Sequence, residues 1–299
     1  MAIDYPAILT HADNGQIFSY TDREVMLYAL GVGLGRDPLD ARDLPFVYEK
    51  ELKVLPSFAS VMAHGCFKVR PLGITYHKVL HGEFGMRLHR PLPRAAELRV
   101  DVSVPGVWDK GADKGALLYL QADIRDAEGP LCTLRSGYFC RGDGGFMAEG
   151  ALPPVEAPRP HALPDRAPDL IHESLTRVDQ ALLYRLSGDR NPLHADPEEA
   201  RRVGFDRPIL HGLCSYGICC SAIVRGMCDD DPTLIRALDV RFARPVMPGE
   251  TLVTEMWRDG NIVSFRGRVK ERDVVVIDNG RCELNAATIP DSALSSISA

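Results

Sequence analysis

The feature that most limits how this chain can fold is a stretch made of turn formers. Residues 142–150 carry four glycines and residues 151–170 carry six prolines. Proline fixes φ and has no amide hydrogen to give, so such a stretch is neither a helix nor a central strand. It predicts a semi-rigid extended linker over 146–170. The 299-residue chain is thereby divided into two units of similar length, 1–145 and 171–299.

The two units resemble each other. Tyr28-Ala29-Leu30-Gly31-Val32-Gly33 aligns with Tyr184-Arg185-Leu186-Ser187-Gly188-Asp189. Leu80-His81-Gly82 aligns with Leu210-His211-Gly212, and Arg90-Pro91-Leu92 with Arg244-Pro245-Val246. Three matches in one order predict an internal duplication. Each unit also has the same layout. Thr21 with Glu24 is a capping box, and Val25, Tyr28, Ala29 and Val32 form a helical stripe. In the second unit Asp179 is placed to cap a short helix over 181–184. Strands follow. Leu98, Val100, Val102 and Val104 alternate with polar residues, and runs over 117–125 and 131–140 flank a turn at 126–129. Runs over 251–257, 262–269 and 274–284 repeat the pattern, with Asp259-Gly260 as a hairpin turn. A helix before an antiparallel meander, twice, is an α+β layout. The units differ after their shared Leu-His-Gly: the second has room for a helix from Leu213 to about Arg225 before Arg244, and the first has none before Arg90. An absent helix over a sheet leaves a trough for a ligand.

Composition excludes several classes of function. The formal charge is −6, with 45% hydrophobic and 25% charged residues, which suits a globular protein and argues against a broad nucleic-acid surface. No apolar run reaches the ~18 residues of a membrane span, and Ile209–Val224 reads as a buried helix. Residues 1–10 lack the basic start of a secretory signal, and the C-terminal Ser-Ile-Ser-Ala is not a Ser-Lys-Leu address, so the cytoplasm is the expected location, with the peroxisome left open. Eight cysteines without C-x-x-C spacing or flanking histidine pairs read as small buried hydrophobes in a reducing compartment, not as a zinc site. Gly31-Val32-Gly33-Leu34-Gly35 ends a helix instead of linking a strand to one, which does not fit a dinucleotide loop. No G-x-S-x-G elbow is present.

The segment with most chemistry is Gly188-Asp189-Arg190-Asn191-Pro192-Leu193-His194. Pro192 blocks a continuous helix and pushes Asn191 out of the α region, so Asp189 and His194 sit on a turn where carboxylate and imidazole can converge on one water. Asp-Arg-Asn-Pro is equally good turn chemistry. Seventeen residues beyond His194, His211-Gly212 opens an apolar helix. Its free N–H groups and positive dipole end suit a carbonyl oxygen gaining charge.

Tyr184-x-Leu-Ser-Gly-Asp-x-Asn-Pro-Leu-His194 followed by His211-Gly212 resembles the hydratase 2 motif of the MaoC-like dehydratases. The resemblance runs through nearly the whole chain. Tyr28–Gly33, Leu80–Gly82, Arg90–Pro93 and Asp109-Lys110-Gly111 fit the first half of the hydratase 2 portion of type 2 multifunctional enzymes. It implies a double hot-dog fold, two repeats forming a pseudo-dimer, with the first half non-catalytic and making room for an acyl chain. It implies reversible hydration of trans-2-enoyl-CoA to (3R)-3-hydroxyacyl-CoA with no metal or redox cofactor. Asp189 and His194 would hold the water and exchange protons, Asn191 would orient them, and the Gly212 N–H would steady the thioester oxygen. Substrate contacts would fall at His81, Gly82, Lys110, Arg190, Pro192, Leu193 and Phe242, with Lys110 toward the anionic end of CoA. Gly33 stands where the second half has Asp189, so one active site per chain is expected. The resemblance further implies an acyl-CoA thioester as partner and a homodimer. Carrier-protein or polyketide dehydration, thioester hydrolysis and acyl-CoA binding without turnover are the competing readings.

Overall fold

The computed structural model describes residues 3–147 and 157–285, so part of the expected linker, the first two residues and the C-terminal Ser-Ile-Ser-Ala lie outside the described residues. Ten strands form a single antiparallel sheet in the order β1-β3-β4-β5-β2-β7-β10-β9-β8-β6. The first five in chain order are β1 (Ala12–Tyr20), β2 (Val79–Leu88), β3 (Ala96–Asp109), β4 (Ala116–Asp126) and β5 (Gly129–Cys140). Their counterparts are β6 (Leu170–Leu175), β7 (Ile235–Phe242), β8 (Thr251–Asp259), β9 (Ile262–Val269) and β10 (Val274–Leu284). The two half-sheets are joined where β2 runs antiparallel to β7, from Glu83 opposite Arg241 to Arg87 opposite Ala237. The strand order is the same read from either end, and this is the double hot-dog arrangement.

Local chemistry explains most elements. Helix α1 (Asp22–Gly31) starts on the capping box at Thr21, whose N–H donates to Glu24 Oε2 at 2.9 Å, and it buries Val25, Tyr28 and Ala29. Helix α2 (Gln180–Tyr184) starts after Asp179, but the Asp179 carboxylate takes hydrogen bonds from Arg177 instead of capping. The four alternating residues of β3 are buried, and Gly260 takes the positive φ of the β8–β9 turn. Helix α3 (Gly212–Met227) is apolar nearly all round and buries ten of its residues. Each large side chain so buried contributes about 1.5–3 kcal/mol, which holds the helix inside the curl of the second half-sheet. Tyr216 Oη donates to the Leu238 carbonyl of β7 at 3.0 Å, and Cys219 meets Thr254 of β8 at 3.5 Å.

Two of the three sequence matches are structural equivalences, and one is not. Tyr28 and Tyr184 lie on paired helices with ring centroids 6.0 Å apart, and Arg90-Pro91 and Arg244-Pro245 follow the equivalent strands β2 and β7. Leu80-His81-Gly82, however, opens strand β2, whereas Leu210-His211-Gly212 leads into α3. The shorter spacing after Gly82 therefore does not mark a deleted helix. The same number of residues separates α1 from β2 as separates the 3₁₀ turn after α2 from β7. The first half fills that span with short turns, Pro56–Phe58 and Ala59–Met62, because Pro56 and the positive-φ Gly65 bracket any longer helix. Among the described residues, no helix is long and apolar enough to cross a membrane.

Candidate active site

The 3₁₀ turn that extends α2 ends at Gly188, and the chain reverses there. Gly188 has φ +130°, and a Cβ at that position would lie 2.6 Å from the His64 ring of the first half. Only glycine satisfies both the backbone angle and the close approach. The loop then turns on its own side chains. Asp189 Oδ1 accepts from the Asn191 amide at 3.1 Å, and Asn191 Oδ1 accepts from the Leu193 amide at 3.1 Å, capping a single turn over Pro192–His194. This is the turn chemistry expected from Asp-x-Asn-Pro, and it carries the functional groups with it.

His194 is buried, and its Nδ1 lies 2.9 Å from the Ile209 carbonyl. A carbonyl only accepts, so Nδ1 carries the proton and Nε2 keeps a free lone pair. His211 is buried beside it, with ring centroids 3.7 Å apart at 26°. His211 Nε2 donates to the Asp189 backbone carbonyl at 3.1 Å, which leaves Nδ1 without a protein partner. Desolvation lowers the pKa of His194, with the nearby Arg185 cation adding to it. The same burial, together with His194, brings His211 down to about 4. Both rings are therefore neutral at pH 7. One donor atom each from Asp189, His194 and His211 lie within 4.8 Å of one another. That is a spacing one bound water spans with two ordinary hydrogen bonds, and it is also the one such group among the described residues able to offer three ligands to a metal ion.

The N-terminus of α3 lies beside this loop. The amides of Cys214 and Ser215 return to the His211 carbonyl, at 3.1 and 3.2 Å, so the amides of Gly212 and Leu213 precede the first intrahelical bond. A Cβ on Gly212 would stand 3.2 Å from the Phe242 ring, at the end of β7. The Phe242 centroid is in turn 5.1 Å from that of His81. His81, half-buried on β2, stacks on Tyr138 at 5.2 Å, and its Nε2 is 2.8 Å from Ser136 Oγ. Burial brings the His81 pKa down to about 4 despite the opposing pull of the Asp189 carboxylate. The β2–β5 register shifts between His81 and Glu83, at Gly82.

The structure thus gathers Asp189, Asn191, His194, Gly212, Phe242, His81 and Gly82 from both halves. Arg190 and Pro192 point to solvent on the loop, and Leu193 is half-buried there. Lys110 stands apart, exposed on the turn after β3. With Asp113, Lys114, Phe139 and Arg141 it lines an open depression of about 620 Å³. Phe139 pairs with Leu80 across β5 and β2, so this basic depression adjoins the His81 end of the sheet. Sequence reasoning did not single out Lys114, Arg141, His64, Ser136, Tyr138, Tyr184 or a side-chain role for His211. Tyr184 and His211 lie inside the Tyr184–Gly212 motif; Ser136 and Tyr138 are brought in by strand pairing on β5, and Lys114, Arg141 and His64 by the turns that flank strands and helices, none of which leaves a local signal of the site.

Comparison with known proteins assigns both halves of the chain to a family. Residues 18–142 match the MFE-2 hydratase 2 N-terminal domain, and residues 160–280 match the MaoC like domain. The chain is 40% identical over 287 residues to the peroxisomal enoyl-CoA hydratase 2 of Arabidopsis thaliana, covering 90% of this chain and 92% of that one. It is 38% identical over 279 residues to the peroxisomal multifunctional enzyme type 2 of Mus musculus, covering 90% of this chain but 37% of that longer protein. The crystal structure of a MaoC-like dehydratase from Phytophthora capsici superposes with a TM-score of 0.83 at 34% identity, over 94% of this chain and 98% of that one. On sequence and fold together, the chain belongs to the MaoC-like dehydratases, within the enoyl-CoA hydratase 2 family.

Proposed function

We propose that this protein is a hydro-lyase that adds water reversibly across the double bond of a trans-2-enoyl-CoA, giving the (3R)-3-hydroxyacyl-CoA. The observation that carries this reading is the convergence of the Asp189 carboxylate and the ring of a neutral His194, whose Nε2 is left free by the Nδ1 bond to Ile209, beside the opening turn of α3. Asp189 orients the water. His194 Nε2 takes a proton from it as the water oxygen bonds to C3. Electron density moves onto the thioester oxygen, where the free amides at Gly212 stabilise the enolate. A proton returned to C2 completes the addition, so the water is divided between C3 and C2 and the two side chains end as they began. Nothing is oxidised or reduced overall, and the reaction calls for no redox cofactor. Asn191 fixes the loop through its capping bond.

His81, Gly82 and Phe242 border the acyl thioester in this reading. Lys110, Lys114 and Arg141 give its CoA phosphates a cationic setting. The first half is non-catalytic in this reading, having Gly33 in place of Asp189, and it accommodates the acyl chain. Ile171, Leu175, Val178 and Leu182, all exposed on and after β6, support assembly as a homodimer. Eight buried, unpaired cysteines suit a reducing compartment such as the cytoplasm.

The test is the absorbance of the conjugated enoyl thioester, with crotonyl-, decenoyl- and branched enoyl-CoA, together with chiral analysis of the product. Loss of the band with (3R) product is the expected result. A stable band with release of free CoA would instead make the protein a thioesterase, and an unchanged mixture would remove the hydratase reading.

A further inference from the structure

Five buried polar atoms gather behind the Asp189–His194 loop, where α1 meets α2. Tyr28 Oη, Ser57 Oγ, Tyr184 Oη, Ser187 Oγ and His211 Nδ1 are closed off from solvent, and none has a hydrogen-bond partner in the protein. They are neighbours. The Tyr28 and Tyr184 rings are 6.0 Å apart, and the Tyr184 and His211 rings 4.9 Å. The ring of Phe58, next in chain to Ser57, meets Tyr28 edge-on at 5.6 Å. Ser187 Oγ and the Tyr184 ring lie 3.8 and 3.5 Å from the point a Cβ on Gly31 would occupy. Tyr28, Tyr184 and His211 are 0%, 1% and 1% exposed.

The hydroxyls lie close together between the halves, with none in a well-formed hydrogen bond to another. Ser60 is near enough to both tyrosines to favour their ionised forms, and Ser57 does the same for Tyr28, although desolvation outweighs both. Interior polar groups are almost always satisfied, and several left unpaired side by side would carry a desolvation cost with nothing to offset it. An acyl chain in that space would leave them unpaired. A water, which both donates and accepts and needs two to four polar partners, satisfies them.

We propose that Tyr28, Ser57, Tyr184 and His211 hold ordered water at the junction of the two halves, behind the catalytic loop and distinct from the water that reacts. The bound water fixes Tyr184 against His211, and the His211 Nε2–H fixes the Asp189 carbonyl at 3.1 Å. Tyr184 is thereby a positioning residue. That last role rests on the hydratase reading; the water site does not.

The test uses Tyr28→Phe and Tyr184→Phe, which keep each ring and remove one hydroxyl. If the hydroxyls hold water, each change leaves that water short of a partner, and the melting temperature falls by about 2–4 °C. If the hydroxyls have no partner, their removal relieves desolvation and the melting temperature rises, which overturns the proposal. Oxygen-17 relaxation dispersion of the solvent counts long-lived internal waters without reference to turnover. The wild-type protein is expected to hold at least one more than the double variant, and an equal count overturns the proposal. With enoyl-CoA, Tyr184→Phe is expected to lower kcat several-fold at unchanged KM. A changed KM at constant kcat would refute the positioning role.

Discussion

His194 and His211 stack at 3.7 Å between ring centroids, and each ring spends one nitrogen on a backbone carbonyl, of Ile209 and of Asp189 respectively. The stack ties the loop that carries the carboxylate to the turn that opens α3. It also fixes which nitrogen of His194 is left free. The free His194 nitrogen and the opening turn of α3 are thereby held together, although seventeen residues of chain lie between His194 and Gly212.

Asp189→Asn and His194→Gln preserve shape while removing charge or base. Each is expected to lower the hydration rate by about 10²- to 10⁴-fold with the melting temperature little changed. Enoyl-thioester absorbance and thermal unfolding check the two halves of that statement. Full activity in either variant would remove the mechanism.

Acid should destabilise the fold through its buried histidines. His81 and His211 titrate near 4 in the folded protein, below the roughly 6.5 of an unfolded histidine. Between those values the unfolded chain binds more protons, so the stability these groups contribute is present above about pH 6.5 and is lost as pH falls toward 4. The fall in melting temperature over that window should be shallower in His81→Phe. The lowered pKa of His194 should likewise place the acid limb of kcat/KM below pH 6.5.

Gly212 is helical, so alanine there meets no backbone strain, only the Phe242 ring at 3.2 Å. Gly212→Ala is expected to displace that ring and cost about tenfold in kcat/KM. Phe242→Leu, combined with it, should recover part of the loss. No recovery would mean that the added methyl acts on the helix amides themselves.

Gly188→Ala meets both a φ of +130° and the His64 ring at 2.6 Å. It is expected to destabilise the protein by about 1–3 kcal/mol and to abolish turnover, because the strained backbone precedes Asp189 directly. His64→Ala should not restore it, since the backbone strain remains. Chemical denaturation measures the first effect and the hydration assay the second.

Lys110→Ala and Arg141→Ala are expected to raise KM for enoyl-CoA by about 3- to 10-fold each while leaving KM for an enoyl-pantetheine thioester unchanged. Added salt should weaken the wild-type enzyme's affinity for the CoA substrate in the same direction. Equal effects on both substrates would remove the basic depression from CoA binding.

What was legible in the sequence was local in cause. The meander strands of each half could be read because Val100 and Val102 or Val263 and Phe265 alternate with polar neighbours, and a strand's period is visible within one segment. Helix α3 could be read because its apolar residues are contiguous. The loop of Asp189 could be read because Asn191 and Pro192 constrain their own backbone. Of the strands that join the halves, β7 alternates over Leu238–Phe242, but β2 gave no such signal. Gly82 and Gly85 dilute the pattern of β2, and what makes it a strand is pairing with β5 and β7, the latter more than 150 residues away in the chain. The Leu-His-Gly repeat misled for the same reason: identical residues took different conformations once one copy was paired in the sheet.

The sequence by itself determined the duplicated α+β plan and the turn that sets Asp189 near His194, because propensity, turn chemistry and hydrophobic period act over a few residues; the double hot-dog fold followed only from the family resemblance. Only the tertiary structure decided that His81 meets Phe242, that His194 protonates on Nδ1, that Lys110 shares its depression with Arg141, and that Tyr28 and Tyr184 meet between the halves. Those relations depend on burial and on partners from distant segments, and desolvation exists only once the chain has closed around them.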